Sequence, residues 1–365
     1  MTASAPSFAQ SVWLVAEREI GSKLRSKAFV ISTGILFVIA LAGVVWGGFA
    51  AQQDMRTPVA VTGQTAQIVA PLDGMLDITE VGSAEEAREL VRDGEVDAAL
   101  IPGGEGGFDF TVVGDDAVPS TLMSALSVSP PVELLQTESD DADGLMRYII
   151  SLLFGAVFLM AATTFGSTIS QSVVEEKATR VVELLISAVP TRALLAGKVI
   201  GNTVLAMGQI IGLAAVAVVG LTVTGQAELL SGLGAPLVWF AVFFLFGFIL
   251  LASLFAAAAA MVSRQEDIGS TTTPLTLLVM VPYFVAIFFN DNPTIMTIMS
   301  YVPFSAPVGM PVRIFFGDAQ WWEPLLSLVI LLATCVGAIW VGAKIYENSI
   351  LRMGARVHLK EALKG

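Results

Sequence analysis

The densest group of chemically capable side chains is the string Glu175-Glu176-Lys177-Ala-Thr-Arg180-Val-Val-Glu183. Its spacing suits ion pairing and docking rather than bond breaking. On a helix of 3.6 residues per turn, Val174, Val181, Leu185 and Val189 share one face, and Glu176, Arg180 and Glu183 lie on the other side. Glu176 and Arg180 form a favourable i,i+4 pair, and Pro190 ends the helix. A charged amphipathic helix of this kind either docks a soluble partner or rests in the lipid interface. Catalysis has little else to draw on. His358 and Cys335 are the only histidine and cysteine, which excludes an intramolecular disulfide or a cysteine-built zinc site and leaves no metal ligand set. An intramembrane protease or acyl transferase needs a positioned nucleophile and base, and no HExxH or intramembrane carboxylate supplies one. A nucleotide loop is absent too: Gly197-Lys198 is followed by Val199, and Arg192 stands where that motif requires glycine.

The elements that carry these residues are membrane spans. The 365 residues are 55% hydrophobic and only 14% charged, against about 25% charged in ordinary soluble domains. Six apolar runs, Phe29–Ala50, Tyr148–Ser170, Val199–Val223, Leu237–Val262, Thr271–Phe289 and Leu325–Val341, contain no Asp, Glu, Lys or Arg. Each is close to the ~20 residues a helix needs to cross about 30 Å of hydrocarbon. The first has a long charged lead and too great a length for a signal peptide, so it reads as a retained anchor. The expected fold is a polytopic α-helical membrane protein, six transmembrane helices with a small extracytoplasmic α/β domain inserted between the first and second.

Charge fixes the expected sidedness. The net charge is −13, which disfavours nucleic acid as a partner. Residues 51–145 hold 19 Asp and Glu against Arg56, Arg88 and Arg92, a balance of −16 that leaves +3 on the rest. Lys and Arg cluster before the first run, between the second and third, and after the sixth, which places both termini in the cytoplasm of a multi-pass cell-membrane protein. The expected organisation is a tail at 1–27, a first span at 28–50, an acidic outer domain at 51–145, a five-helix region at 146–345 and a tail at 346–365. The five-helix region includes a cytoplasmic loop at 171–198 and an outer segment at 290–324.

Within the insert, Val59–Val61, Ala66–Val69, Ala98–Ile101 and Phe108–Val113 read as β-prone pieces. Ser83 and Glu86 open a helix with a capping-box pattern, and Asp93-Gly94 closes it. The turn Gly103–Gly107 reads as a plain hairpin loop. The acidic surface either binds cations or a basic partner, or simply keeps an outer domain solvated.

The string Glu-Glu-Lys-x-x-Arg-x-x-Glu-Leu-Leu-x-Ser-x-x-x-x-x-x-Leu-Leu-x-Gly-Lys from Glu175 to Lys198 resembles the loop of type-2 ABC exporter permeases, particularly the sodium-efflux (NatB-like) branch. Ala16-Glu17-Arg18-Glu19-Ile20 is similar to the family's interfacial elbow helix. Tyr301-Val-Pro303-Phe-Ser-Ala-Pro307 with Met310-Pro311-Val-Arg313 resembles its outer segment, and Tyr346–Gly354 its C-terminal tail. The resemblance implies an efflux subunit that binds no cofactor itself and uses ATP and Mg through separate cytoplasmic ABC ATPase subunits. It also implies a second permease subunit, identical or related, in membrane lipid. Glu175, Glu176, Lys177, Arg180 and Glu183 would then sit on or beside the helix that meets the ATPase.

The charge-free runs agree with energy delivered from outside the spans, since proton- or voltage-driven carriers usually place ionisable groups within them. Thr164, Ser167, Asn202 and Gln209 either line a path or bond back to helix carbonyls. Pro303, Pro307, Pro311 and Arg313 belong either to an outer gate or to a loop anchored by Trp321-Trp322. Gly43-x-x-x-Gly47 and Gly208-x-x-x-Gly212 permit close helix approach. The competing reading is a membrane-anchored sensor or assembly protein whose outer domain binds a ligand. The cargo (sodium ion, drug, peptide or lipid) is not legible in the residues.

Overall fold

The computed structural model describes residues 6–50, 57–69, 72, 76–103, 109–115, 118–119, 122–123, 126, 141–352, 354 and 357–364. Two compact units divide the chain: Phe49–Glu138, and the remainder on either side of it.

The larger unit is helical. Ser7 accepts from the Gln10 backbone and Gln10 returns the bond, a capping box that starts α1 (Phe8–Arg25). Its buried residues, Ser11, Val15, Ala16 and Glu19, recur at helical spacing along one face, and Trp13 and Leu14 are exposed on another. The chain then enters α2 (Lys27–Ala50). After the insert come α5 (Asp141–Ala178), the short α6 (Val181–Ala188), α7 (Thr191–Val223), α8 (Ala227–Ala260) and α9 (Ile268–Phe288). Two helices too short to cross a bilayer follow, α10 (Pro293–Tyr301) and α11 (Ala306–Phe315). The unit closes with α12 (Glu323–Ser349) and α13 (Leu359–Lys364). Among the described residues, six helices are long and apolar enough to span a membrane: α2, α5, α7, α8, α9 and α12.

The core of this unit forms where α5 faces α8. Phe154, Phe158 and Phe165 meet Phe240, Phe244 and Phe248 in turn, with ring centroids 4.9, 5.9 and 5.9 Å apart. The edge-to-face and tilted geometries are those aromatic pairs prefer. Helix α11 packs into the same core, with every residue from Ala306 to Arg313 buried. The segment read as an outer gate or a tryptophan-anchored loop thus contains a pair of short helices, α10 and α11. Of the two anticipated small-residue seams, Gly43, Gly47 and Gly208 face open space, and Gly212 lies against Phe37.

The smaller unit is a four-stranded sheet in the order β2-β1-β3-β4, with β1 (Thr57–Thr62) parallel to β2 (Leu76–Val81) and β3 (Ala98–Pro102), and β4 (Phe110–Val113) antiparallel to β3. Alternation sends Val59, Val61 and Leu100 to one face and Ala60, Ala99 and Ile101 to the other. Helix α4 (Ala84–Arg92), capped by Ser83, covers the second face with Ala87 and Val91. Glu86 does not complete the box; its carboxylate accepts from the Gly82 backbone instead. Ala66–Val69 forms a helical turn, α3, rather than a strand. The Thr65 hydroxyl accepts from the Thr62 backbone and donates to the Leu100 carbonyl at 2.8 Å, which ends β1 and turns the chain. β2, with alternating Leu76, Ile78 and Glu80, is a strand that the sequence reading passed over. Gly104–Gly107 and Phe108 lie outside the described residues.

Candidate coupling site

The site is built where α1 crosses the start of α7. A Cβ on Gly197 would stand 2.5 Å from Val15, and one on Gly201 would stand 2.9 Å from Glu19. Gly197-x-x-x-Gly201 is thus the small-residue seam that lets two backbones meet. The close approach carries Glu19, which is buried, onto Lys198, which is fully buried.

Four charges from three helices close on one another there. Lys198 Nζ lies 2.9 Å from Glu19 Oε1, 2.9 Å from Glu176 Oε2 and 2.6 Å from the Ser172 hydroxyl. Arg18 pairs with Glu176 and, at 3.1 Å, with Glu19. The set is electrically neutral, as a cluster with Lys198 and Glu19 buried must nearly be, and Arg18 forms its exposed edge. Burial alone pushes the Glu19 carboxyl up, but Lys198 and Arg18 outweigh it and leave the pKa below the ordinary glutamate value. Burial likewise draws the Arg18 guanidinium down, yet Glu176 and Glu19 hold it above its usual value. Glu176 therefore does not form the anticipated i,i+4 pair with Arg180, because Arg18 and Lys198 occupy both of its oxygens. The fully buried Tyr346 ring lies within electrostatic reach of Glu176 and Glu19.

Lys177, next in sequence, points elsewhere. Its fully buried Nζ donates to the Ala260 carbonyl at 2.7 Å and the Ser349 carbonyl at 2.9 Å. Those are the last carbonyls of α8 and α12, which have no partner within their own helices and carry the negative end of the helix dipole. One ammonium thus ties three helix ends together. α5 stops directly afterwards, with Arg180 in the left-handed region at φ 59°. That reversal splits the helix expected to run through to Val189 and sets α6 on a new axis. Glu175, Arg180, Glu183 and Leu184 are exposed, Leu184 at 72%, and Val182 is buried. Of the elbow residues, Glu17 faces outward, Arg18 bridges and Glu19 is buried.

A second buried pair sits at the other end of α5. Arg313 Nη2 donates to Glu323 Oε2 at 2.7 Å and to the Asp318 carbonyl at 2.9 Å, and Nη1 donates to Ser300 at 2.8 Å. Glu323 also accepts from the Tyr301 hydroxyl and the Gln320 backbone. Burial and then the Glu323 carboxylate push the Tyr301 pKa up. Arg147, near the start of α5, pairs with Asp318 at 2.6 Å and covers the Phe316 ring.

Comparison with known proteins now identifies the architecture. Residues 27–344 match the family model described as ABC-2 family transporter protein. The chain belongs to the ABC-2 transporter family. It is 25% identical over 411 residues to Uncharacterized protein YhaP of Bacillus subtilis (strain 168), an alignment covering 96% of this chain and 98% of that one. It is also 25% identical over 217 residues to Uncharacterized protein MJ1024 of Methanocaldococcus jannaschii, covering 58% of this chain and about half (53%) of the relative. No solved structure is a significant match.

ABC-2 family members are transport components without a nucleotide site of their own. Among the described residues of this one, no group of three or more His, Cys, Asp or Glu is placed to hold a metal ion. The four path candidates lie on two helices. Thr164 and Ser167 lie on an exposed face of α5, whereas Asn202 is buried on α7, donating to the Lys198 carbonyl at 2.9 Å, and Gln209 is half-buried two turns on. Pro307 and Pro311 are buried within α11, and Pro303 lies in the turn before it. Sequence reasoning missed Gly197 and Gly201 as a seam and Lys198 as the hub, although the spacing and the lysine were both readable.

Proposed function

We propose that this ABC-2 chain is the membrane-spanning subunit of an ATP-driven exporter, working with two cytoplasmic ATPase subunits and a second permease subunit, identical or related. The observation that carries the reading is an exposed set of side chains, Glu175, Arg180, Glu183 and Leu184, on the same stretch of chain as Glu176 and Lys198 of the ion network. Glu175, Arg180, Glu183 and Leu184 offer a polar and apolar docking face to the ATPase. Displacement of α6 passes into α5 and α7, and through Glu176 and Lys198 into α1. Lys177 acts as the fulcrum rather than as part of the docking face.

The Lys and Arg clusters set the orientation, with both termini and α6 in the cytoplasm and the acidic insert outside. The buried α10–α11 pair lies at the outer end, where Pro303, Pro307, Pro311 and Arg313 form an outer gate. Export runs outward, and sodium is the first cargo to assay because the Glu175–Lys198 string resembles the sodium-efflux branch.

The test is co-reconstitution of the chain with an ABC ATPase, such as any encoded beside its gene, measuring ATP hydrolysis and sodium flux. Glu183→Ala is expected to leave stability within about 0.5 kcal/mol, as exposed substitutions do, and to abolish permease-stimulated ATPase activity. An unchanged stimulation, or no association with an ATPase, sinks the proposal.

A further inference from the structure

The side of the bundle where α7 meets α12 carries a groove of about 730 Å³. Ile249 and Ser253 of α8 form its floor, and Ile200, Val336, Ile339 and Trp340 form its walls. Trp340 is 69% exposed and Val336 67%, so the walls are open to whatever surrounds the helices. The charged groups gather at one end, where Arg192, Lys344 and Glu347 make the rim.

This rim has a cation to spare. Arg192 gives Nε and Nη2 to the two oxygens of Glu347 at 2.8 and 3.1 Å, which fixes the guanidinium and leaves Nη1 without a hydrogen bond to any described residue. Lys344, half-buried, makes no hydrogen bond or ion pair with any described residue. Below the rim the polar atoms are already committed. The Ser253 hydroxyl returns to the Ile249 carbonyl at 2.8 Å, and Asn348 donates to the Ala362 carbonyl at 2.7 Å. The groove is therefore bipartite, cationic at its mouth and apolar along its length.

The dimensions match one leaflet. Eleven residues separate Val336 from Glu347 on α12, about 16 Å at 1.5 Å per residue and close to half of the ~30 Å hydrocarbon thickness. Arg192 begins α7 and Glu347 nearly ends α12, so the rim sits at the membrane interface on the α6 side.

We propose that this groove holds one anionic phospholipid of that leaflet, its phosphodiester bridged by Arg192 and Lys344 and one acyl chain lying along Ile200, Ile339, Trp340 and Val336. Basic pockets between spanning helices recognise lipid headgroups by this charge complementarity. The inference requires the spans to lie in a bilayer and stands apart from any reading of cargo or ATPase coupling.

The full chain in phosphatidylcholine nanodiscs tests it. Phosphatidylglycerol or phosphatidylcholine with brominated chains is titrated in, and the Trp340 signal is isolated by difference from Trp340→Phe. The anionic lipid is expected to quench Trp340 at a several-fold lower mole fraction than the zwitterionic one. Lys344→Gln is expected to reduce that preference about fivefold, as loss of one lysine near an anionic headgroup should, and Arg192→Gln to reduce it further. Millimolar inorganic phosphate should leave the quenching unchanged; displacement by phosphate would point to a free-anion site and overturn the proposal. Equal quenching by both lipids would overturn it as well, as would a preference that survives both substitutions. So would no quenching by either lipid, the result expected if a second copy or another protein covers the groove.

Discussion

The two ends of α5 solve the same problem, a buried charge, in opposite ways. Arg147 and Glu176 lie about 43 Å apart along this helix at 1.5 Å per residue. At the Arg147 end, Arg313 and Glu323 are ten positions apart, and four further groups, from Ser300, Tyr301, Asp318 and Gln320, complete their hydrogen bonds. At the Glu176 end, two cations share two carboxylates drawn from α1, α5 and α7, separated by up to 179 positions. The first arrangement has one good geometry and behaves as a staple. In the second, Glu176 and Glu19 each have a choice of cation, so partners can be exchanged without leaving a charge bare. The former suits a region that holds the α10–α11 pair in place, and the latter suits the proposed passage of movement from α6.

Removing one partner of the staple should give the largest effect. Arg313→Met leaves Glu323 buried with only neutral donors, a change that costs about 3–5 kcal/mol in comparable buried pairs. Thermal unfolding in detergent should show the loss, and Arg313→Met with Glu323→Leu should recover much of it, because two apolar groups need no counter-charge. If the double variant is no better than the single one, the pair is more than a local staple.

At the shared network the stability loss should be smaller and the functional loss larger. Lys198→Met leaves Glu19 and Glu176 to compete for Arg18, with a cost of about 2–3 kcal/mol. Coupled ATPase activity is expected to fall well beyond what the lost folded fraction explains. A variant that loses activity only in proportion to its folded fraction would reduce the network to another staple.

The two ends also differed in how far the sequence disclosed them. The six spans were readable because hydrophobic length is a local property, and so was the charged Glu175–Glu183 string. What the string does was not local. Glu176 was matched to Arg180, four positions away, when its partners are Arg18 and Lys198; only the fold brings those together. Lys177 was read with its neighbours as part of the docking helix, and its contacts depend on where α8 and α12 happen to end. In the insert, Ala66–Val69 has strand-forming residues, but hydrogen bonds from Thr65 to Thr62 and Leu100 impose a helical turn. Arg313 and Glu323 were near neighbours in sequence, yet Glu323 stood at the edge of an apolar run and drew no notice.

The seam under α1 tests whether the network depends on close approach. Gly201→Val places methyl groups where Glu19 and the Ala16 carbonyl now stand, and overpacking of this kind costs about 1–3 kcal/mol. Crosslinking between cysteines placed on α1 and α7 should report the separation directly. Coupling should weaken as α1 withdraws Glu19 from Lys198, whereas Gly43→Val, where no neighbour stands within reach, should leave both readings unchanged.

The smallest expected effect is on acid stability at the Glu176 end. Glu19 is held below its ordinary pKa by Lys198 and Arg18, even after burial pushes it the other way. Its ionised form therefore adds stability that is fully present above the ordinary glutamate value near 4.5 and is lost as pH falls through the lower folded value. Glu19→Gln should remove that contribution: the variant is less stable than the parent at neutral pH, and the gap narrows as pH drops below about 4.5. Unfolding midpoints measured between pH 7 and pH 3.5 would show it. A gap that stays constant across that range would mean that Glu19 contributes through packing against Gly201 and not through its charge.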